Sequence, residues 1–211
     1  MIDTELKKRI VSSVFLLPFT LFFIFNDIEY LIVFLILLLL ISVYEWYFIS
    51  KNNYYLVLGL IFIIFAFYCT YKVRITLGFD IFLAILFSCI STDLGGYVSG
   101  KILKGPKITK ISPGKTYSGY IGACFFSALS LLCLYKLYFV TNKSINYIVL
   151  AGIIISTVSH FGDITMSYFK RLKKIKDTGK IIPGHGGLLD RIDGMIFVFP
   201  FVYILKSINL I

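Results

Sequence analysis

Between Ser167 and Asp193 the sequence reads SYFKRLKKIKDTGKIIPGHGGLLDRID, and these residue types are the parts needed to handle phosphate and a divalent metal. Lys170, Arg171, Lys173, Lys174, Lys176 and Lys180 supply cations that would neutralise a polyphosphate. The turn Pro183-Gly184-His185-Gly186-Gly187 follows, and its glycines let backbone N–H groups approach anionic oxygens. Asp190-Arg191-Ile192-Asp193 then sets two carboxylates at i and i+3, facing one way at the start of a helix. Asp163 stands one helical turn before Ser167 and Lys170, so the three can share a helix face, and it meets Asp190 if the charged loop folds back on the span ends. Convergent carboxylates could hold Mg2+, which takes oxygen ligands and keeps waters and substrate phosphates in its shell.

Two upstream segments carry further candidates. Ser91-Thr92-Asp93-Leu94-Gly95-Gly96-Tyr97 closes an apolar run, and Asp93 there is either part of a polar helix end or an acid at the wall of the site. Ile111-Ser112-Pro113-Gly114-Lys115-Thr116 is a turn ending in a Lys and a hydroxyl, a weak signal by itself. His160 reads as a packed or interfacial group, and Glu45, beside Trp46, as a structural hydrogen-bonding group rather than a catalyst. Together these residues fit phosphoryl or nucleotidyl transfer; a lipid-binding or transport protein with basic loops fits them too.

The elements that position them belong in a bilayer. The 211 residues are 58% hydrophobic, and the mean hydropathy is +0.89, too apolar for a soluble domain. About seven runs approach the length that crosses roughly 30 Å of hydrocarbon: Ile10 to Phe25, Tyr30 to Ile49, Tyr54 to Tyr71, Leu77 to Val98, Gly119 to Val140, Ile145 to Met166 and Ile192 to Leu205. The expected fold is an all-α polytopic membrane protein, a single domain over 1–211 with its active-site loops cytoplasmic. Met1 to Arg9 before an apolar run could pass for a signal peptide, but Pro18 and the Phe-rich continuation favour a retained first span. With the N-terminus inside, Lys7, Lys8, Arg9, Lys51, the five lysines from Lys101 to Lys115 and the cations of Lys170 to Arg191 face the cytoplasm. Lys72, Arg74, Lys136, Lys143 and Lys206 lie opposite. The net charge of +10 is therefore read as facing an anionic leaflet and phosphate ligands, at about 1 kcal/mol per surface cation, with no nucleic-acid partner. The four cysteines sit in apolar runs without a C-x-x-C pair, so neither metal nor disulfide is expected from them.

Ser167-x-x-Lys170-Arg171, Lys176-Asp177-x-Gly179, Pro183-Gly184-His185-Gly186-Gly187 and Asp190-Arg191-x-Asp193 together resemble the signature of the phosphatidate cytidylyltransferases, also called CDP-diacylglycerol synthases. Asp93-x-Gly95-Gly96-Tyr97 with Gly100-Lys101, and Ile111-Ser112-Pro113 with Lys115-Thr116, are similar to two further family segments in the same order, so the likeness covers roughly the C-terminal half. Family members commonly carry Glu where this chain has Ser118 and Met166. The resemblance implies Mg2+-dependent transfer of CMP from CTP to phosphatidate with release of pyrophosphate, in the plasma (inner) membrane, by a homodimer. It implies Asp163 and Asp190 as metal ligands with Asp193 and Asp93 in support, for one metal ion or two. Lys170, Arg171 and Lys176 would hold phosphates, His185 would orient a phosphate or steady the loop, and Asp177 and Arg191 would complete the catalytic group. Ser167, Lys115, Thr116, Gly184, Gly186 and Gly187 would bind substrate.

The aspartate pattern of the CDP-alcohol phosphatidyltransferases and the D-D-x-x-D cluster of prenyl-diphosphate enzymes are both absent from the sequence. A transporter would favour discontinuous spans and inverted repeats, which the sequence does not display.

Overall fold

A computed structural model describes residues 2–50, 52–109, 111–138 and 144–210. Lys51, Lys110, Val140 and Lys143, which entered the span and charge assignments, lie outside the described residues. The described residues form helices joined by loops: α1 (Ile2–Phe25), α2 (Ile28–Ile49), α3 (Asn53–Thr76), α4 (Gly78–Leu103), α5 (Tyr117–Tyr138), α6 (Ile145–Leu172), a short α7 (Leu189–Ile192) and α8 (Met195–Ser207). Among the described residues there is no strand, and the β-type pairings are isolated bridges, Lys107 with Thr116 and Ile182 with Gly186. Among the described residues six helices, α1 to α6, are long and apolar enough to cross a membrane. Their outward faces carry Phe15, Leu40, Ile61 and Ile121, apolar side chains that a bilayer would cover.

Two expected boundaries move. The seventh run is not one span from Ile192: α7 ends there, and α8 is an apolar helix of 13 residues with Pro200 inside it. At 1.5 Å per residue it reaches about 20 Å, short of a hydrocarbon core. Its start is fixed by packing, since a Cβ on Gly194 would lie 2.1 Å from Ser159 Oγ. The fourth run, in turn, does not stop at Asp93 to Val98. α4 continues to Leu103 and ends where Lys104 and Gly105 take positive φ, 52° and 128°. Gly95, Gly96 and Gly100 weaken a helix by propensity, but in α4 they form the seam on which α5 packs.

The residues cluster into two compact units: Met1–Phe67 with Phe169–Ile192, and Tyr68–Tyr168 with Asp193–Ile211. In the first, α1 and α2 meet through Phe23 stacked on Phe34. Trp46, 3% exposed, donates from Nε1 to Leu56 O at 3.2 Å and packs edge-on to Phe169. Gly59 leaves room for the indole, because a Cβ there would fall 1.9 Å from its ring. In the second unit the principal helix pair is α4 with α5. Cβ atoms at Gly95 and Gly119 would come within 2.8 Å of Gly122 O and 2.9 Å of Gly96 O, so the two backbones touch. Buried hydroxyls then join three helices: Ser88 and Ser127 lie 2.6 Å apart, and Ser127 donates to Gly152 O at 2.8 Å. Such bonds satisfy polar groups that lipid cannot.

Candidate active site

The charged stretch singled out by the sequence is built in the first unit, around Asp190. α6 carries Lys170 into its last turn, where the side chain is about a tenth exposed and Nζ lies 2.7 Å from Asp190 Oδ1. Asp190 Oδ2 accepts from Thr178 N at 2.7 Å and Gly187 N at 3.1 Å, and lies 3.1 Å from Thr178 Oγ1. The chain between Lys170 and Asp190 is thus drawn into a loop that closes on one carboxylate. A second carboxylate lies behind it. Glu45 of α2, 1% exposed, accepts from Thr178 Oγ1, Leu188 N and Leu189 N, each at 2.8 Å. Such short bonds to a charged acceptor are the stronger kind.

The glycines follow from this arrangement. Gly184 and Gly186 have φ of 76° and 90°, which glycine adopts without a steric penalty. They turn the chain so that His185 N donates to Ile182 O and Ile182 N to Gly186 O, both at 3.0 Å. Gly187 is a matter of space: a Cβ would sit 1.9 Å from Thr178 Oγ1 and 2.7 Å from both Glu45 Oε2 and Gly179 N. Its N–H, expected to face substrate phosphate, is directed to Asp190 in this structure.

α1 holds the tip of the turn. His185 Nδ1 lies 3.0 Å from Ser12 Oγ, Ser12 Oγ also donates to Pro183 O, and Arg9 Nε donates to Gly184 O at 2.8 Å. Arg191 donates from Nε and Nη2 to His185 O. These contacts hold the tip of the loop at His185. Arg171 is exposed and its Nη1 donates to Ile175 O at 2.7 Å. Lys176, Asp177 and Lys180 are exposed on the same stretch, whereas Lys173 Nζ reaches back to Phe48 O at 2.7 Å near the end of α2.

The second unit carries the remaining candidates. A turn from Ser112 to Lys115, closed by Lys115 N donating to Ser112 O at 3.1 Å, presents Lys115, and its Nζ lies 2.5 Å from Asp163 Oδ2 of α6. Lys115 is largely buried and the Asp163 side chain is 35% exposed. Thr116 caps α5, accepting from Gly119 N at 3.1 Å. Ser118 hydrogen-bonds Thr116 Oγ1 at 3.0 Å and donates to Lys104 O, tying the start of α5 to the end of α4. Met166, the other position where the family commonly has Glu, is buried, as is Ser167. Asp93 is exposed on α4, and Asp193, in the turn before α8, accepts from Gly194 N at 3.0 Å. Since α7 ends at Ile192, Asp190 and Asp193 are not carried on one helix. His160 is packed edge-on to Tyr120, with Nδ1 3.1 Å from Ser156 O.

The sequence marks Glu45 as a hydrogen-bonding group but does not reveal its partners, which lie more than 130 positions away. The signal is a carboxylate inside an apolar span, costly unless paired. Ser12 and Arg9 carry no comparable signal.

Comparison with known proteins identifies the family. The model of a family described as "Cytidylyltransferase family" matches residues 54–208. The chain is 38% identical over 128 residues to a phosphatidate cytidylyltransferase of Bacillus subtilis (strain 168), covering 59% of this chain and 47% of that protein. It is 44% identical over 117 residues to one of Staphylococcus aureus (strain COL), covering 54% and 44%. The matches therefore span less than half the length of these two relatives. A phosphatidate cytidylyltransferase of Rickettsia bellii (strain RML369-C) is 31% identical over 227 residues, covering 98% of this chain and 93% of the relative. With most of its length matched by the family and nearly all of it by a relative of similar extent, the chain belongs to the cytidylyltransferase family.

Proposed function

We propose that this protein is a membrane-embedded phosphatidate cytidylyltransferase that transfers CMP from CTP to phosphatidate, giving CDP-diacylglycerol and pyrophosphate. The observation that carries this reading is the cluster at Asp190, where Lys170, Thr178 and Gly187 of the family signature converge on one carboxylate. The names of the relatives supply the reaction, and the charge pattern supports loops that face the cytoplasm, where CTP is found. Placement in the plasma membrane and a homodimeric state are part of the same reading.

The carboxylates fit a hard divalent cation. Asp190 Oδ2 is held by the Thr178 and Gly187 N–H groups, while Oδ1 faces the Lys170 ammonium, a place a divalent cation could take. Asp163 likewise faces an ammonium, that of Lys115, and keeps a third of its side chain open. Among the described residues no group of three or more His, Cys, Asp or Glu gathers in one place, so waters and phosphate oxygens would complete the shell, as Mg2+ prefers. Bound there, Mg2+ would withdraw charge from the triphosphate during in-line attack by a phosphatidate oxygen on the α-phosphorus. Asp190 in the first unit and Asp163 in the second would each offer a carboxylate ligand, for one metal ion or two. Exposed Arg171 and Lys176, with Lys170 and Lys115 once displaced from their carboxylates, would hold phosphate oxygens and orient the leaving pyrophosphate. The phosphatidate nucleophile is already anionic, so the chain needs no strong general base.

The test is pyrophosphate release by the detergent-purified protein given CTP, phosphatidate and Mg2+, with omission of each component and with EDTA. Release that requires all three, with CDP-diacylglycerol as the lipid product, is expected. Binding of both substrates without a cytidylated lipid, or release independent of phosphatidate, would overturn the proposal.

A further inference from the structure

Glu45 belongs to α2, outside the segment 54–208 that carries the family match, yet it sits at the centre of the signature loop. It is among the largest fully buried side chains of the protein. Its two oxygens divide the loop between them: Oε1 takes Leu188 N, and Oε2 takes Leu189 N and Thr178 Oγ1, each at 2.8 Å. Thr178 Oγ1 lies 2.8 Å from Glu45 and 3.1 Å from Asp190 Oδ2, so one hydroxyl stands between the two carboxylates. Leu188 and Leu189 immediately precede Asp190, and their N–H groups are at the start of the short helix that carries it.

We infer that Glu45 is a positioning residue that fixes the orientation of Asp190, through the Thr178 hydroxyl on one side and the Leu188 and Leu189 amides on the other. Glu45 touches no substrate; it sets where the Asp190 oxygens point. Two signature glycines are explained by the same contact. Cβ atoms at Gly179 and Gly187 would stand 2.9 Å from Glu45 Oε1 and 2.7 Å from Oε2, so both positions stay bare to admit the carboxylate. A carboxylate is required for a chemical reason. All three partners donate, and a carboxylate offers acceptors on both oxygens, whereas an amide puts N–H on one of them and faces a donor with a donor. The catalytic part of the inference rests on the proposed cytidylyl transfer; the structural part does not.

The experiment compares wild type, Glu45→Gln and Thr178→Val as full-length protein in nanodiscs, by hydrogen–deuterium exchange and by turnover against Mg2+ concentration. In Glu45→Gln, exchange at residues 188 and 189 should accelerate about tenfold or more, as loss of a hydrogen bond to a charged group predicts, with α4 and α5 unchanged. In Thr178→Val the amides of residues 178 and 187, which bind Asp190 Oδ2, should exchange faster. In both variants the Mg2+ concentration for half-maximal turnover should rise at least severalfold while the KM for phosphatidate holds, a split that simple loss of folded protein does not produce. Wild-type exchange at 188 and 189 in Glu45→Gln overturns the inference. If that variant does not fold, unchanged exchange at 178 and 187 in Thr178→Val overturns it instead. A wild-type protein without turnover refutes the reaction, and the exchange rates still decide the role of Glu45.

Discussion

Gly187→Ala tests the site with one methyl group. φ at Gly187 is not in the left-handed region, so alanine brings no backbone strain, and the whole effect is steric. The new Cβ would lie 1.9 Å from Thr178 Oγ1, about 1.5 Å inside an ordinary non-bonded approach. Rotating Thr178 away does not solve the problem, because Gly179 N, a backbone atom, stands 2.7 Å from the same point. The segment 178–179 must therefore separate from 187, stretching Thr178 Oγ1 from Glu45 and Gly187 N from Asp190. Two hydrogen bonds to charged acceptors at about 1.5–3 kcal/mol each give a local loss of about 3–6 kcal/mol. Displacement of Asp190 by about 1 Å should lower turnover roughly a hundredfold. The assay is the initial rate of CDP-diacylglycerol formation at saturating CTP and phosphatidate. Gly114→Ala serves as the control, since nothing lies within 4 Å of its Cβ position, and it should stay within about twofold of wild type. Adding Thr178→Ala to Gly187→Ala should not rescue it, because Gly179 N remains in place. A Gly187→Ala protein with the wild-type rate would refute this close packing of residues 178, 179 and 187 around Glu45 and Asp190.

Two further substitutions separate charge from packing. Asp190→Asn should abolish turnover and also destabilise the protein by about 3–5 kcal/mol, because it leaves the buried Lys170 ammonium unpaired. Adding Lys170→Met should return much of that stability without activity, as read by denaturation in detergent; equal stability of Asp190→Asn and wild type would deny the buried pair. On the α4 and α5 seam, Gly95→Ala should cost about 1–3 kcal/mol, since its Cβ meets Phe126 Cβ at 2.6 Å and Gly122 O at 2.8 Å. Its neighbour Gly96 has its nearest atoms at 3.7 Å, so Gly96→Ala should hold or raise thermal stability by up to about 1 kcal/mol. Equal effects at the two positions would mean that the two helices do not cross at Gly95.

The spans and the signature were legible because each is written locally. Apolar runs long enough to cross hydrocarbon mark six helices, and the signature concentrates its residues between Ser167 and Asp193. The ends of helices were less legible. The segment from Ser91 to Tyr97 read as the close of the fourth run, while α5 packing against Gly95, Gly96 and Gly100 carries α4 on to Leu103. Asp190 with Asp193 read as one helical face, but the turn at Asp193 and Gly194 divides α7 from α8. Least legible were the pairings across the chain. Lys115 with Asp163, Glu45 with Thr178, and Ser12 with His185 have no common period or motif, and only the fold brings them together.

The burial of Glu45 links assembly of the helices to assembly of the site. An ionised side chain costs about 2.5–3.5 kcal/mol at the centre of a span on insertion scales and less toward its end; Glu45 lies four residues from the end of α2, so α2 alone carries a penalty below that figure. Docking of the loop supplies three hydrogen bonds to that carboxylate, each of the charged kind and worth about 1.5–3 kcal/mol, which more than offsets it. An apolar residue at position 45 would remove the penalty from α2, but would leave Leu188 N, Leu189 N and the Thr178 hydroxyl buried without an acceptor. The acid is thus unfavourable in a bare span and favourable only when the loop is closed around it. Of the conformations open to the stretch from Lys170 to Asp190, the one that presents Asp190 is the one in which Glu45 is satisfied. α1 adds to the same selection from the opposite end of the loop, where Arg9 and Ser12 hold Gly184, Pro183 and His185. The chain before residue 54 therefore acts on the conformation of the signature loop without contributing to the signature itself.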